Sequence, residues 1–122
     1  MQLLKTSSRK MLRMLERAAG VALNGQQSRK YLLGAIGLRR DGAIVTATNG
    51  GTKGERTPSA HAESRLSRKL DAGSIVYVSR ILKNSAVAIA RPCMGCQMAM
   101  KHRGVSRCFY TIKEDEYGCI DF

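Results

Sequence analysis

Segments with helical periodicity alternate along this chain with short apolar runs that are rich in strand-forming residues. The predicted order is helix, hairpin, helix, strand, helix and strand. Because the helices come between strands rather than in a block of their own, this order predicts an α/β domain built in layers on a mixed sheet. At 122 residues the chain is long enough for one hydrophobic core, so we expect a single domain over residues 1–122.

Periodicity and turn residues place the individual elements. The first helix is predicted over residues 8–23, with one apolar face formed by Leu4, Met11, Leu15, Ala18 and Ala22. A hairpin about an Asp-Gly turn follows, with strands over 31–38 and 43–48. The later helices are predicted over 61–70 and 92–102, and the later strands over 75–82, 86–90 and 108–112.

Positive charge dominates the composition but is unevenly distributed. The chain has 21 Lys and Arg residues against 9 Asp and Glu residues, which gives a net charge of +12. All of the basic residues lie within residues 1–113, whereas residues 114–122 contain acidic residues and no basic one. This balance favours partners that carry phosphate groups and argues against calcium-buffering or acidic chaperone-like roles. We expect the acidic tail, residues 114–122, to be a solvated end, with the alternative that it lies back on a basic face.

The sequence gives no sign of a membrane or secretory protein. No apolar run approaches the roughly 20 residues that cross a bilayer, so we expect no membrane association. No secretory leader precedes the four cysteines, which makes a disulfide framework the weaker interpretation and favours a cytoplasmic protein. Residues 1–17 are basic and amphipathic like a transit peptide, but a first structural helix explains the same pattern and is preferred.

Two short motifs carry side chains that can hold a metal and move protons. His61 and Glu63 lie at the predicted start of the second helix, and Cys93 and Cys96 follow Pro92 at the start of the third. One imidazole and two thiolates are three ligands of the softness that zinc prefers. Three protein ligands leave a fourth position for water, whose pKa zinc lowers, and Glu63 is placed to move the protons.

Each motif alone has a simpler interpretation, such as a redox pair, half of a structural zinc site, or coincidence. Together they resemble the zinc-dependent cytidine and deoxycytidylate deaminases, whose pattern is His-x-Glu followed by Pro-Cys-x-x-Cys. The resemblance covers about residues 8–113 and is nearest to small phage-type deaminase-like proteins. It implies a three-layer α/β/α fold with a mixed central sheet.

The resemblance also implies roles for residues of this chain. The zinc ligands would be His61, Cys93 and Cys96. Glu63 would move protons between the attacking water, the ring nitrogen and the departing ammonia. Asn49 would contact the substrate, although it could instead be a turn residue before two glycines. The backbone amide of Ala62 would lie beside the base.

The implied reaction is the hydrolytic deamination of a cytosine base to uracil with release of ammonia. The substrate would be a cytosine-containing nucleotide or a base in single-stranded DNA or RNA, with a slight preference for the nucleotide that rests on the resemblance. Relatives usually associate, so a homo-oligomer is expected. Two alternatives stay open: a nucleic-acid-binding module with structural zinc and lost deaminase activity, and a thiol redox protein.

Two stretches depart from the family pattern. Residues 75–91 are long enough for an extended strand or an inserted hairpin before the Pro-Cys motif. Little chain follows Ile112, so we do not expect the final helix and strand that often select the substrate in larger relatives. Of the other cysteines, Cys108 is expected to be a buried core thiol, whereas Cys119 could be a fourth ligand or free.

Overall fold

The computed structural model describes residues 9–23, 31–48, 62–82, 84 and 86–122. The helices in these ranges are α1 (Arg9–Leu23), α2 (Ala62–Ser67) and α3 (Met94–Arg103). The strands are β1 (Tyr31–Leu38), β2 (Ile44–Thr48), β3 (Ile75–Leu82), β4 (Val87–Ala88), β5 (Arg107–Lys113) and β6 (Glu116–Asp121). Across these described ranges, every helix is too short or too polar to span a membrane.

The strands form one mixed sheet with the order β2-β1-β3-β5-β6, and the short β4 pairs with β3 beside this path. β1 is antiparallel to both of its neighbours, with Gly34 opposite Thr48 of β2 and Ala35 opposite Val78 of β3. β3 and β5 are parallel, whereas β6 is antiparallel to β5. The connection between the parallel strands passes through α3, because parallel neighbours need a long crossover.

Side chains along each strand alternate between two faces of the sheet, and helices cover both faces. Val78 of β3 belongs to a buried cluster with Leu66 of α2 and Met100 of α3. Its neighbour Tyr77 points to the other face, where it packs in a second cluster with Leu15 of α1. The molecule therefore has three layers, with α1 on one face and α2 and α3 on the other. This arrangement confirms the predicted α/β/α fold class with a mixed central sheet.

α1 lies against the sheet along a stripe of small and apolar residues. Leu15, Ala18 and Ala22 are buried, as the periodicity predicts. The hydroxyl of Ser79 on β3 donates a hydrogen bond of 2.6 Å to the Leu15 carbonyl. Gly34 of β1 lies under the same helix, where a Cβ would meet the Ala18 carbonyl oxygen and lie 2.6 Å from the Ala22 nitrogen. The missing side chain at Gly34 therefore permits the close approach of α1.

Most boundaries agree with the predicted elements. The hairpin turns at Gly42, whose φ of 90° lies in the left-handed region that favours glycine. Residues 75–91 contain both expected alternatives, an extended strand in β3 and a short returning strand in β4. α2 is shorter than predicted, since it ends at Ser67 rather than Leu70. Leu4, predicted for the apolar face of α1, lies outside the described residues.

The prediction of a solvated acidic tail was wrong. Most of the tail forms β6, an edge strand that pairs with β5 along its length. Tyr117 of β6 is buried in the cluster beneath α1, and the Asp121 carboxylate pairs with Arg107 of β5 at 2.9 Å. Backbone pairing and the burial of Tyr117 outweigh the low strand propensity of acidic residues. The chain thus has the final strand that was not expected after Ile112.

Candidate active site

The Pro-Cys motif forms the start of α3. Cys93 is the N-cap residue, in an extended conformation with φ −69° and ψ 167°, and the helix begins at Met94. Pro92 is buried, and its carbonyl accepts a hydrogen bond of 2.9 Å from the side chain of Gln97. Cys93 is exposed, whereas Cys96 in the first turn is fully buried. The motif thus places two sulfur side chains, one exposed and one buried, at the amino end of a helix.

The second motif forms the start of α2. Ala62 is fully buried, and Glu63, in the first turn of the helix, is only 3% exposed. α2 packs on β1 and β2 and against α3, so Glu63 lies within the layer that the two helices form on the sheet. His61 and Asn49, predicted as a zinc ligand and a substrate contact, lie outside the described residues.

Cys108 of β5 lies in the buried cluster beneath the two helices that carry the motifs. Its thiol is fully buried, which confirms the prediction of a core cysteine. Burial raises the pKa of Cys108 well above its ordinary value, and the charges of Glu63, Cys119 and Cys96 raise it further. Cys108 shares its buried cluster with Ala62 of α2 and Met100 of α3, so the helices that carry the two motifs pack over the same part of the sheet. The alternation of β5, which turns Cys108 and Tyr110 to the same face, could have indicated this position from the sequence.

Cys119 lies on the other face of the sheet. It packs against the cluster formed by Leu15, Tyr77 and Phe109 beneath α1. Cys96, by contrast, belongs to α3, which covers the opposite face. The interpretation of Cys119 as a fourth metal ligand is therefore wrong, and the residue is a free, half-buried thiol in β6.

Within the described ranges, no group of three His, Cys, Asp or Glu side chains is arranged to hold a metal ion. Two members of the predicted set, Cys93 and Cys96, are in these ranges, whereas His61 is not. The chemistry of the two cysteines fits zinc, because they are sulfur donors three residues apart at the first turn of a helix. The buried Glu63 lies on α2, which packs against α3, and a carboxylate is the kind of group that moves protons in a catalytic zinc site.

Arg91, which the sequence motifs do not single out, lies beside this site. Its Nη1 donates a hydrogen bond of 3.0 Å to the Tyr110 hydroxyl, and its Cζ lies 5.8 Å from the centroid of the Tyr110 ring. Tyr110 belongs to the same buried cluster as Ala62 and Cys108. The position of Arg91, two residues before Cys93, could have indicated its place from the sequence. Its contact with Tyr110 could not be predicted, because it depends on how α3 and β5 pack.

Several residues from the basic pairs and rows of the sequence make contacts within the fold. Arg103 donates hydrogen bonds to backbone carbonyls at the end of α2, and Lys69 donates one of 2.7 Å to the carbonyl of Thr46. Arg107 forms its ion pair with Asp121. These side chains hold helices and strands together, so their charge does not by itself indicate a track for a polynucleotide.

A cavity of about 100 Å³ lies on the face of the sheet that α1 covers. Residues of α1, β4 and the turn between β5 and β6 line it, including Leu12, Glu16, Thr111 and Glu114. Its lining contains none of the described candidate site residues. The cavity is therefore separate from the site formed by α2 and α3.

No family profile and no curated protein matches the sequence. Solved structures do share the fold. Cytidine deaminase from Mycobacterium leprae aligns with a TM-score of 0.58 and 15% sequence identity over 89% of this chain and 90% of that one. Cytidine deaminase from Mycobacterium tuberculosis aligns with a TM-score of 0.52 and 17% identity over 81% of each chain. The chain therefore has the fold of the cytidine deaminases, and identities this low establish the fold alone.

Proposed function

We propose that this chain is a zinc-dependent hydrolytic deaminase that acts on a cytosine base. The observation that carries the proposal is the placement of Glu63, which is 3% exposed at the start of α2, on the helix that packs against α3 with its two cysteines. An ionisable group that is buried beside metal-type ligands is the arrangement expected of a proton-transfer site. The fold shared with cytidine deaminases supports the same reaction class.

Cys93, Cys96 and His61 would hold the zinc. The two cysteines lie three residues apart at the N-terminal turn of α3, which is a spacing typical of zinc-binding cysteine pairs. Bound there, zinc would act as a Lewis acid that makes water a nucleophile near neutral pH.

Glu63 would carry the proton transfers. The reaction adds water across the amidine carbon of cytosine and expels the amino group, so that uracil and ammonia are the products. The carboxylate takes a proton from the attacking water and gives it to the ring nitrogen. It then helps a second proton to reach the amino group, which leaves as ammonia. Burial of Glu63 limits the exchange of these protons with solvent.

Two further contacts with the substrate are part of the proposal. The backbone amide of Ala62, at the buried start of α2, would lie beside the base. Asn49 would contact the sugar or the base. The expected substrate is a cytosine nucleotide, with a base in single-stranded DNA or RNA as the alternative.

Association of copies is also proposed. Three large apolar side chains near the Pro-Cys motif are half or more exposed: Ile89, Met94 and Met98, at 50%, 67% and 64%. Met94 and Met98 are one turn apart on α3 and share a face. Exposed apolar side chains grouped in this way support a homo-oligomer in which this part of α3 is covered.

The alternative of a nucleic-acid-binding module with structural zinc accounts less well for Glu63. A structural zinc site needs ligands but no proton carrier, and a buried carboxylate costs free energy to maintain. The side chains of Arg103 and Arg107 are also engaged within the fold, which weakens the case for a continuous basic track.

The decisive experiment measures uracil formation by zinc-loaded protein from cytidine, deoxycytidine, deoxycytidylate, single-stranded DNA and RNA at two salt concentrations. We expect about one zinc per chain and turnover of at least one monomer. Turnover confined to polynucleotide and falling steeply with salt would assign the substrate to nucleic acid. Failure of zinc-loaded protein to release uracil from every substrate would overturn the deaminase proposal.

Zinc content is tested separately from turnover. Cys93→Ser and Cys96→Ser should each lower the bound zinc, because each removes one sulfur ligand. Cys119→Ser is the matched control, since Cys119 lies on the opposite face of the sheet. Equal zinc in all three variants would remove the two cysteines from the metal site.

A further inference from the structure

The Arg91 side chain is held in one orientation by two contacts with a single aromatic ring. Nη1 donates a hydrogen bond of 3.0 Å to the Tyr110 hydroxyl, and the guanidinium carbon lies 5.8 Å from the ring centroid. The first contact fixes the direction of one N–H group, and the second is within the distance of a cation–π interaction. Arg91 is nevertheless exposed, so the rest of its guanidinium faces solvent.

Tyr110 is itself fixed by the fold. It is 7% exposed and pairs with Val78 of β3 and with Gly118 of β6 in the centre of the sheet. A Cβ at Gly118 would lie 2.6 Å from the Tyr110 hydroxyl oxygen, so the ring occupies the space that a side chain at Gly118 would need. Arg91 is therefore supported by a ring that has little room to move.

The remaining donors of Arg91 are available to a ligand. A guanidinium has five N–H groups, and one of them points to Tyr110. In the described part of the chain, Arg91 takes part in none of the ion pairs, which are made by Arg39, Arg107 and Lys113. An exposed guanidinium that is oriented but not neutralised is suited to a planar or tetrahedral anion.

We propose that Arg91 binds the phosphate group of a cytosine nucleotide and so makes the enzyme prefer the nucleotide over the free nucleoside. This inference rests on the proposed function and names the substrate class of that site. Arg91 is joined to Cys93 through Pro92 alone, and its partner Tyr110 belongs to the same buried cluster as Ala62, on the face of the sheet that α2 and α3 cover. Phosphate is the group that a nucleotide adds to a nucleoside, and arginine recognises it through charge-assisted hydrogen bonds.

The contacts favour a single nucleotide over a polynucleotide. One phosphate needs one or two oriented cations, whereas a polynucleotide backbone needs a row of them. Arg103 and Arg107 make internal contacts with carbonyls and with a carboxylate, respectively. Arg91 stands apart from these residues because its partner is a neutral phenol.

The test compares kcat/KM for deoxycytidylate with kcat/KM for deoxycytidine. In Arg91→Ala this ratio should fall by about 10- to 100-fold, the range expected when a hydrogen-bonded charge is removed. In Arg91→Lys the ratio should fall by less, because lysine keeps the charge but loses the forked geometry. Arg13→Ala is the matched control, since Arg13 is an exposed arginine of α1 on the opposite face of the sheet. An equal ratio in Arg91→Ala and Arg13→Ala would overturn the inference.

Binding gives a second readout that does not need turnover. Calorimetric titration of zinc-loaded Glu63→Gln with deoxycytidylate and with deoxycytidine should show tighter binding of the nucleotide, and adding Arg91→Ala should remove most of the difference. Equal affinities for the two compounds in Glu63→Gln would contradict the role of Arg91. If Arg91→Ala weakened turnover of single-stranded DNA and left deoxycytidylate unaffected, the inference would also be wrong.

The two proposals fail in different ways. If zinc-loaded protein converts deoxycytidine and deoxycytidylate equally well, the deaminase proposal stands and the role of Arg91 falls. If no cytosine compound is converted, the deaminase proposal falls. Zinc content and thermal unfolding of Arg91→Ala, measured beside Arg13→Ala, show whether the variant has kept the fold on which the comparison depends.

Discussion

Arg103 Nε donates a hydrogen bond of 2.8 Å to the carbonyl of Ser67, which joins the carboxyl end of α3 to the carboxyl end of α2. Nη2 of the same side chain lies 3.1 Å from the carbonyl oxygens of Arg68 and Leu70. The guanidinium thus donates to the last carbonyl of α2 and to two carbonyls of the turn that follows it. The contact also sets the spacing between the helix that carries Glu63 and the helix that carries Cys96.

Arg103→Ala should lower the free energy of unfolding by about 1 to 3 kcal/mol, because three carbonyls lose a charged donor. Urea denaturation followed by circular dichroism measures this change. Lys101→Ala is the control, since it removes the same charge from an exposed position of the same helix. If the two variants lost equal stability, charge at the end of α3 rather than the hydrogen bonds would be responsible.

Glu63→Gln should retain zinc and lose turnover by about 100-fold or more, the contribution typical of a positioned proton carrier. The amide has nearly the shape of the carboxylate but cannot accept and return a proton. Steady-state release of ammonia, measured beside zinc content, distinguishes the two effects. Glu16→Gln on α1 is the matched control, because Glu16 is exposed on the opposite face of the sheet. Retained turnover in Glu63→Gln would remove this residue from proton transfer.

Two glycine substitutions should change stability in opposite directions. Gly34→Ala should cost about 3 kcal/mol or more, because the new Cβ meets backbone atoms of Ala18 and Ala22, which move only if α1 moves. Gly20→Ala, within α1, has nothing within 4 Å of the new Cβ and should stabilise the protein by about 0.5 to 1 kcal/mol. Thermal unfolding of both variants measures the contrast. A tolerated alanine at residue 34 would show that α1 can move away from the sheet.

Acid should remove a specific contribution to stability that comes from Asp71. The Ser74 hydroxyl, 2.7 Å from Oδ1, is the main cause that lowers the pKa of Asp71. Burial opposes it as the next-largest effect, and the Arg40 amide and the Arg39 charge each lower the pKa further by less. Since the folded-state pKa lies below the ordinary value of 3.8, the ionised carboxylate stabilises the fold above that pH. The stabilisation is lost as pH falls through the folded-state pKa.

Asp71→Asn should therefore be less stable than the natural protein at neutral pH, and the difference should shrink below pH 3.8. Urea denaturation of both proteins at neutral and acidic pH measures this convergence. A difference that stayed constant over the whole range would assign the effect of the substitution to packing or hydrogen bonding of the amide rather than to ionisation.

Local patterns predicted most of the helices and strands. The apolar face of α1 was visible because Leu15, Ala18 and Ala22 recur at helical spacing, and all three are buried. The end of α3 was predicted from Gly104, because glycine is the residue that commonly ends a helix. In the structure Gly104 takes the expected left-handed conformation, with φ 87°. In both cases the residues that determine the element are its own neighbours in sequence.

The errors concern interactions between distant residues. β6 contains two acidic residues at its ends and Gly118 inside, a composition that does not favour a strand. It forms because its backbone pairs with β5 and because Tyr117 packs against Phe109, with the ring centroids 6.0 Å apart. α2 ends at Ser67, where Arg103, far along the chain, donates a hydrogen bond to the last carbonyl of the helix.

The candidate site divides in the same way. Residue types and spacing within each motif predict roles for Cys93, Cys96 and Glu63, and these roles stay predictions. The packing of α2 and α3 around the buried Cys108, and the support of Arg91 by Tyr110, depend on how the helices lie on the sheet. A motif predicts which side chains are available for chemistry, whereas packing on the sheet determines which of them lie close together.

The ladder between β1 and β3 has a consequence for the order of folding. β1 pairs with β3 from Leu38 opposite Ile75 to Tyr31 opposite Leu82, so even its nearest partners enclose residues 39–74. The hairpin of β1 and β2 should form within about 1 to 10 μs, whereas closing the longer segment costs more chain entropy. Glu63 lies inside that segment. During refolding, Glu63 should therefore reach its place late, at the rate of the central strand pairing rather than that of its own short helix.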